Sequence, residues 1–238
     1  MLPERSVLVD FDGTITTVDV TEQLLTTYGD PTWPEYDDAV DRGEMGLRQA
    51  LTAQNAMLRA DRDTLTAHAL DVAEVDSTFA PFVRWVEEAD VPVVVVSDGF
   101  AFYIEPILAA IGLGHLEVIT NEQRWRDGRP DGLAFVSGHP VCVGCGTCKM
   151  QAVQRFQERG PVAFIGEGQT DRYAALYADI TFAKLALVDH CVADGVPFVA
   201  WGDFDDVRRT LETHDTLPGP VAPIQCPGWR LPDPSPAA

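Results

Sequence analysis

Three short apolar runs, at residues 7–9, 91–96 and 162–165, each break off at a polar or glycine-bearing turn: DFDGT, SDGF and GEGQTD. Such runs alternate with longer amphipathic stretches, the pattern of an α/β protein in which helices cover a doubly wound, Rossmann-like parallel sheet. Residues 117–120 and 180–183 are further strand candidates, and 198–201 is a weaker one. In open α/β sheets ligands bind beyond the carboxyl ends of the strands. The three turns are therefore expected to line one crevice.

About 75 residues separate the first two strands, with helical spacing in VTEQLLTTYG, EMGLRQALTAQNAML and RDTLTAHALDVAEV. A plain βαβ crossover needs only a dozen or so residues. The excess predicts an inserted α-helical cap at 17–77 over a core made of 1–16 and 78–217. Asp127-Gly128, between two β-prone segments, predicts a hairpin on the flank of the sheet. Residues 218–238 are dense in proline and lack a periodic apolar face, so they read as a disordered tail.

With 37 acidic residues against 17 basic ones, the 238-residue chain carries a formal charge of −20. Nucleic acid and anionic membrane surfaces are therefore excluded as natural partners. No apolar run reaches the roughly 20 residues of a membrane span, and the start lacks a signal-peptide core, so a cytoplasmic protein is expected. A phosphorylated metabolite would also be repelled. Two unit charges of one sign about 4 Å apart cost roughly 4 kcal/mol at an effective dielectric near 20, so a phosphate substrate calls for a metal ion and a lysine.

The strand ends supply such a set. Asp10 and Asp12 leave the first strand together on a turn that Gly13 permits. One carboxylate can attack while its neighbour donates and accepts protons. The Ser97 hydroxyl and the amides that follow it, Asp98 first, are suited to hold phosphate oxygens at a helix start. Lys149 opens a helical segment, and Glu167 and Asp171 follow the strand at 162–165. Oxygen ligands of this kind suit Mg²⁺.

In order and placement these motifs resemble those of the haloacid dehalogenase superfamily, of the subfamily IB type. DFDGT matches the first motif, VVSDG the second, Lys149 the third and GEGQTD the fourth. The resemblance implies a phosphatase acting on a small phosphorylated substrate. Asp10 would be the nucleophile that forms an aspartyl-phosphate, and Asp12 the general acid and then base, with its carbonyl on the metal. Ser97 and Lys149 would bind the phosphoryl group, and Glu167 and Asp171 would complete the Mg²⁺ site with Asp10 and Asp12. Glu167 departs from the family's usual Asp, so its extra methylene must be absorbed or the metal must shift. CVGCGTCK, just before and including the lysine, resembles the methionine-salvage phosphatases that act on 2-hydroxy-3-keto-5-methylthiopentenyl-1-phosphate. It resembles more loosely the phosphoethanolamine/phosphocholine phosphatases. The phosphoserine phosphatases fit less well, because Asp19 stands in place of a glutamate, and Thr52 and Gln54 occupy the area of their carboxylate-binding arginine.

Cys142, Cys145 and Cys148 form C-x2-C-x2-C, and Cys191 is a candidate fourth thiolate for structural Zn²⁺. The alternative is a tight loop of reduced cysteines beside Lys149. His139 and His190 flank them, and Trp33, Tyr36 and Arg48 are cap residues that either pack or touch substrate. Two non-enzymatic readings compete, a receiver-like phosphoacceptor and a cysteine-based metal-binding module. Receiver-like domains are shorter and lack the helical insertion. The sequence leaves the oligomeric state open.

Overall fold

The computed structural model describes residues 6–213 and Cys226. The expected tail at 218–238 lies outside the described residues, apart from Cys226. Seven strands, β1 (Ser6–Val9), β2 (Val93–Phe100), β3 (Glu117–Arg126), β4 (Arg129–Ala134), β5 (Val162–Gly166), β6 (Ile180–Ala183) and β7 (Val199–Ala200), form one sheet. Its order is β4-β3-β2-β1-β5-β6-β7, and only the β3–β4 pair is antiparallel. Val7 pairs with Val93 on one side and Ala163 on the other, so β1 is central. From β1 the chain builds first to one side and later to the other. That switch opens a crevice at the carboxyl end of β1.

Both faces of the sheet are covered, which explains the unbroken apolar runs. Val7, Val9, Val95 and Ile165 join one core cluster, while Leu8, Val94, Val96 and Phe164 join another. Helix α5 (Phe79–Glu87) buries Phe79, Phe82, Val83 and Val86, the i, i+3, i+4, i+7 stripe of an amphipathic helix. Phe204, Val207 and Leu211 of α10 (Phe204–Thr213) join the same cluster. Each such fully buried phenylalanine contributes roughly 1.5–3 kcal/mol. Helix α7 (Lys149–Gln157) covers the other face through Ala152, Val153 and Phe156.

Between β1 and β2 stand α1 (Val20–Tyr28), α2 (Pro34–Asp41), α3 (Leu47–Met57) and α4 (Arg62–Val72) before α5. Asp19 and Asp61 cap α1 and α4, accepting from the N–H groups of Glu22 and Thr64. The outgoing and returning connections bond to each other. Thr16 bridges Val75, the Thr17 N–H donates to the Glu74 carbonyl at 2.7 Å, and the Asp76 N–H donates to the Ile15 carbonyl at 2.9 Å.

Two strands run well past their expected ends. β2 begins two residues later than 91 and continues to Phe100, because Phe100 pairs with Asn121 beyond a register shift. β3 passes Thr120 and pairs with β4 through the expected turn, where Asp127 and Gly128 have φ of 50° and 77°. Those angles are the ones a two-residue hairpin turn demands.

Candidate active site

Asp10 follows β1 directly, its N–H donating to the Ile165 carbonyl at 3.0 Å. The chain then folds tightly over the Phe11 carbonyl, which accepts from the N–H groups of Thr14, Ile15 and Thr16. Gly13 has φ +72° and faces Glu167, whose Cδ would lie 2.9 Å from a Cβ at that position. The missing side chain at Gly13 thus makes room for the longer carboxylate at 167.

Lys149, at the first turn of α7, is 3% exposed. Its Nζ donates to Asp10 Oδ1 and Asp171 Oδ1, both at 2.7 Å, and to Thr170 Oγ1 at 3.2 Å. Burial opposes the ammonium charge, yet Asp10, Asp171 and Asp98 outweigh it and hold the lysine protonated. Burial and the nearby Asp171 push the Asp10 carboxyl up, against the pull of Lys149. Asp171 Oδ2 accepts from the N–H groups of Glu167 and Gly168 at 2.9 and 3.0 Å. Both Asp171 oxygens thus have protein partners.

Asp12 Oδ1 accepts from the Val20 N–H at 2.9 Å, and its Oδ2 accepts from the Tyr103 hydroxyl at 2.8 Å. Burial pushes this carboxyl up to about 6, although both hydrogen bonds favour the charged form. Ser97 is buried, and its Oγ accepts from the Gly99 N–H at 2.9 Å. Asp98 Oδ1 accepts from the Thr147 N–H at 2.6 Å, tying β2 to the loop before Lys149. Asp98 Oδ2 is buried without a hydrogen-bond partner among the described residues. Tyr103, Thr147 and Thr170 were not singled out in the sequence, although Thr147 lies within CVGCGTCK and Thr170 within GEGQTD.

The three loop cysteines do not meet Cys191, which is packed with Leu187 and Ala175 in a separate apolar cluster. Cys142, Cys145 and Cys148 instead line a cavity of about 20 Å³ with Cys226 and His139. None of the five cysteines is in a disulfide. Among the described residues, no three His, Cys, Asp or Glu side chains are gathered as a metal-binding group. The expected zinc site with Cys191 is therefore corrected to a thiol-lined loop beside Lys149. Arg48 braces that loop, donating to the carbonyls of Cys145 and His139 at 2.8 and 2.9 Å. His139 Nδ1 accepts from the N–H groups of Val141 and Cys142.

Asp10, Asp12, Ser97, Asp98, Lys149 and Glu167 all line a crevice of about 320 Å³. Asp19, Glu22, Asp37, Asp41 and Gln54 line its cap side, and Lys149 is its single basic residue among those described. Trp33 and Tyr36 are not among the lining residues. Gln54 Nε2 donates to Asp37 Oδ1 at 2.8 Å, and the Thr52 hydroxyl donates to the Arg48 carbonyl within α3. A second cavity of about 310 Å³ adjoins, sharing Asp37, Asp41, Leu47 and Thr170, with Val40, Met45 and Tyr173 on its walls.

A family model for haloacid dehalogenase-like hydrolases matches residues 7–176. The chain belongs to the haloacid dehalogenase-like hydrolases. Over 212 residues this hydrolase is 31% identical to the bifunctional enzyme MtnB/MtnX of Bacillus licheniformis, a match covering 87% of this chain and 49% of that one. The chain thus spans about half the length of that relative. It is also 27% identical over 212 residues to the 2-hydroxy-3-keto-5-methylthiopentenyl-1-phosphate phosphatase of Bacillus pumilus, covering 87% of this chain and 90% of that one. Among solved structures, the phosphoserine phosphatase from T. onnurineus superposes with a TM-score of 0.68 at 19% identity, covering 90% of this chain and 98% of that one. A substrate-bound phosphoserine phosphatase superposes equally well, with a TM-score of 0.68 at 15% identity over 87% and 97% of the two chains. At these identities the likeness to the solved structures is one of fold.

The donor set fits a magnesium ion. Lys149 occupies one Asp10 oxygen, and Glu167 reaches the same turn over Gly13. Mg²⁺ takes one or two carboxylates from a protein and fills its octahedron with substrate phosphate and water. Asp10 and Glu167, both lining the crevice, would supply such carboxylates.

Proposed function

We propose that this hydrolase cleaves a small phosphomonoester by transferring the phosphoryl group to Asp10. The observation that carries the reading is the pairing of Asp10, held by Lys149, with an Asp12 carboxyl pushed up to about 6 two residues away. In the first half-reaction an Asp10 oxygen bonds to phosphorus while the bond to the leaving oxygen breaks. The Asp12 proton goes to that oxygen. In the second half-reaction Asp12 takes a proton from water, the hydroxide attacks phosphorus, and the acyl phosphate bond breaks to return Asp10 and inorganic phosphate. Lys149 and Ser97 hold the phosphoryl oxygens, and Asp171 keeps Lys149 in place. Mg²⁺ on Asp10, the Asp12 carbonyl and Glu167 would supply neutralisation of the phosphate charge.

Residues 17–77 form the cap in this reading, closing over the crevice to exclude bulk water. This insertion also argues against a receiver-like phosphoacceptor, which lacks one. The cysteine-based metal-binding module loses support with the separation of Cys191 from the loop.

The preferred substrate is the methionine-salvage enol-phosphate, 2-hydroxy-3-keto-5-methylthiopentenyl-1-phosphate. Its support is the naming of relatives such as that of B. pumilus, 27% identical over 87% of this chain. Phosphoserine fits less well, since the crevice has no second cation for its carboxylate among the described residues. A different observation favours phosphoethanolamine or phosphocholine as the second reading. Asp19, Glu22, Asp37 and Asp41 would attract an ammonium group.

A phosphate-release assay with and without Mg²⁺ tests all of these, comparing the enol-phosphate, phosphoserine, phosphoethanolamine, phosphocholine and pyridoxal phosphate by kcat/KM. The enol-phosphate is expected to lead, and Asp10→Asn is expected to abolish turnover while the fold melts normally. Full turnover by D10N would refute the assigned nucleophile.

A further inference from the structure

We propose that Tyr103 is a positioning residue for Asp12, and that it ties the aim of this carboxyl to the seating of α1. The inference rests on the reading of Asp12 as general acid. Tyr103 is the third residue of α6 (Ala101–Ala110) and is fully buried, its ring packed on Phe102 and Phe11 at centroid distances of 5.3 and 6.1 Å. Packing alone would be served by phenylalanine. The hydroxyl has a different use, lying 2.8 Å from Asp12 Oδ2 and 3.0 Å from Thr21 Oγ1.

Val20 and Thr21 open α1, and the Val20 N–H meets the other Asp12 oxygen at 2.9 Å. Asp12 is thus gripped by one donor from the cap and one from the core, and Thr21 joins the two. Gly99 makes the approach possible, since a Cβ there would run into the Tyr103 hydroxyl and lie 2.8 Å from Asp12 Oδ2. The grip matters at one moment of the reaction. As the proton passes from Asp12 to the leaving oxygen, negative charge appears on a buried carboxylate. The Val20 N–H and Tyr103 O–H already point at it, so no reorganisation is needed. A phenol bound to both Asp12 and Thr21 also makes the acid's orientation depend on where α1 sits.

The test compares an ester that needs the acid with one that does not. Glycerol 2-phosphate leaves as an alkoxide that must be protonated, whereas p-nitrophenyl phosphate leaves as a stable anion. kcat/KM reports steps up to the first irreversible one, so it isolates phosphoryl transfer from later hydrolysis. Tyr103→Phe keeps the ring and removes the hydroxyl. It is expected to lower kcat/KM about tenfold or more for the alkyl ester and less than about threefold for the aryl ester, a part of the 10²–10⁴-fold that general acids contribute. Thr21→Val is expected to shift the ratio in the same direction by about threefold, and it decides the matter if Y103F does not fold. Equal losses on both esters, or an unchanged ratio, overturn the proposal while leaving the phosphatase reading intact. Absence of turnover of either ester by the wild type overturns the phosphatase reading and the proposal together.

Discussion

Replacing Lys149 by Met would remove the one cation between Asp10 and Asp171, two carboxylates buried with it. Breaking a buried ion pair by deleting one partner costs about 3–5 kcal/mol, because an uncompensated charge stays behind. K149M is therefore expected to lose about that much stability in urea denaturation without metal, together with its phosphatase turnover. The charge-conserving Lys149→Arg is not expected to keep turnover, since a planar fork does not fit a site built for a point charge. The identity of these groups was legible in the sequence because each stands at a strand end or a helix start. The bond from Lys149 to Asp171 was not. Spacing put Asp171 at the crevice but could not tell which way its oxygens faced, and the backbone N–H groups of Glu167 and Gly168 claim one of them. Tyr103 was invisible for a related reason. Its partners are 91 and 82 residues away, brought close only by the packing of α6 against the start of α1.

At the level of elements, legibility followed burial. β1, β5 and β6 read clearly because they are apolar on both faces, whereas α2 has no buried residue and so left no apolar stripe to find. The later part of β3 read only as an arm of the expected hairpin, because two of the covered positions in its alternating NEQRWR pattern, Asn121 and Gln123, are polar, and its pairing comes from β4. The turn between them was legible from chemistry alone. Gly128 has φ +77°, and its carbonyl accepts from the Arg62 N–H at 2.8 Å, where α4 begins. Gly128→Ala is expected to destabilise the protein by about 1 kcal/mol, since a Cβ is strained in that conformation. The position is remote from Asp10 and Lys149, so kcat/KM is expected to stay within about twofold. A thermal melt and a turnover assay on the same preparation check both parts.

On the scale of the whole molecule, the charge of −20 was plain in the composition, but its concentration in one crevice was not. Burial pushes up the carboxyls of Asp10, Asp12 and Asp19, with Asp12 reaching about 6 from an ordinary 3.8. An acid whose folded value is raised holds its proton longer in the native state than in the unfolded one. Between about pH 4 and 6 the native state therefore binds more protons, and stability falls as pH rises through this window. For Asp12 alone the loss is on the order of 3 kcal/mol once the group is ionised in both states. Asp194 works in the opposite sense, held below the usual range by Arg172, but its contribution is lost only at pH values below about 4. Metal-free protein is accordingly expected to melt at a higher temperature at pH 5 than at pH 7.5. Magnesium should reverse the order of gain, raising the Tm more at pH 7.5, where the carboxylates are charged, than at pH 5, where protons compete for the same oxygens. Melts in chelator and in excess Mg²⁺ at the two pH values measure this directly. A Tm that rises from pH 5 to 7.5 in chelator would show that the crevice carboxyls are not held protonated by the fold.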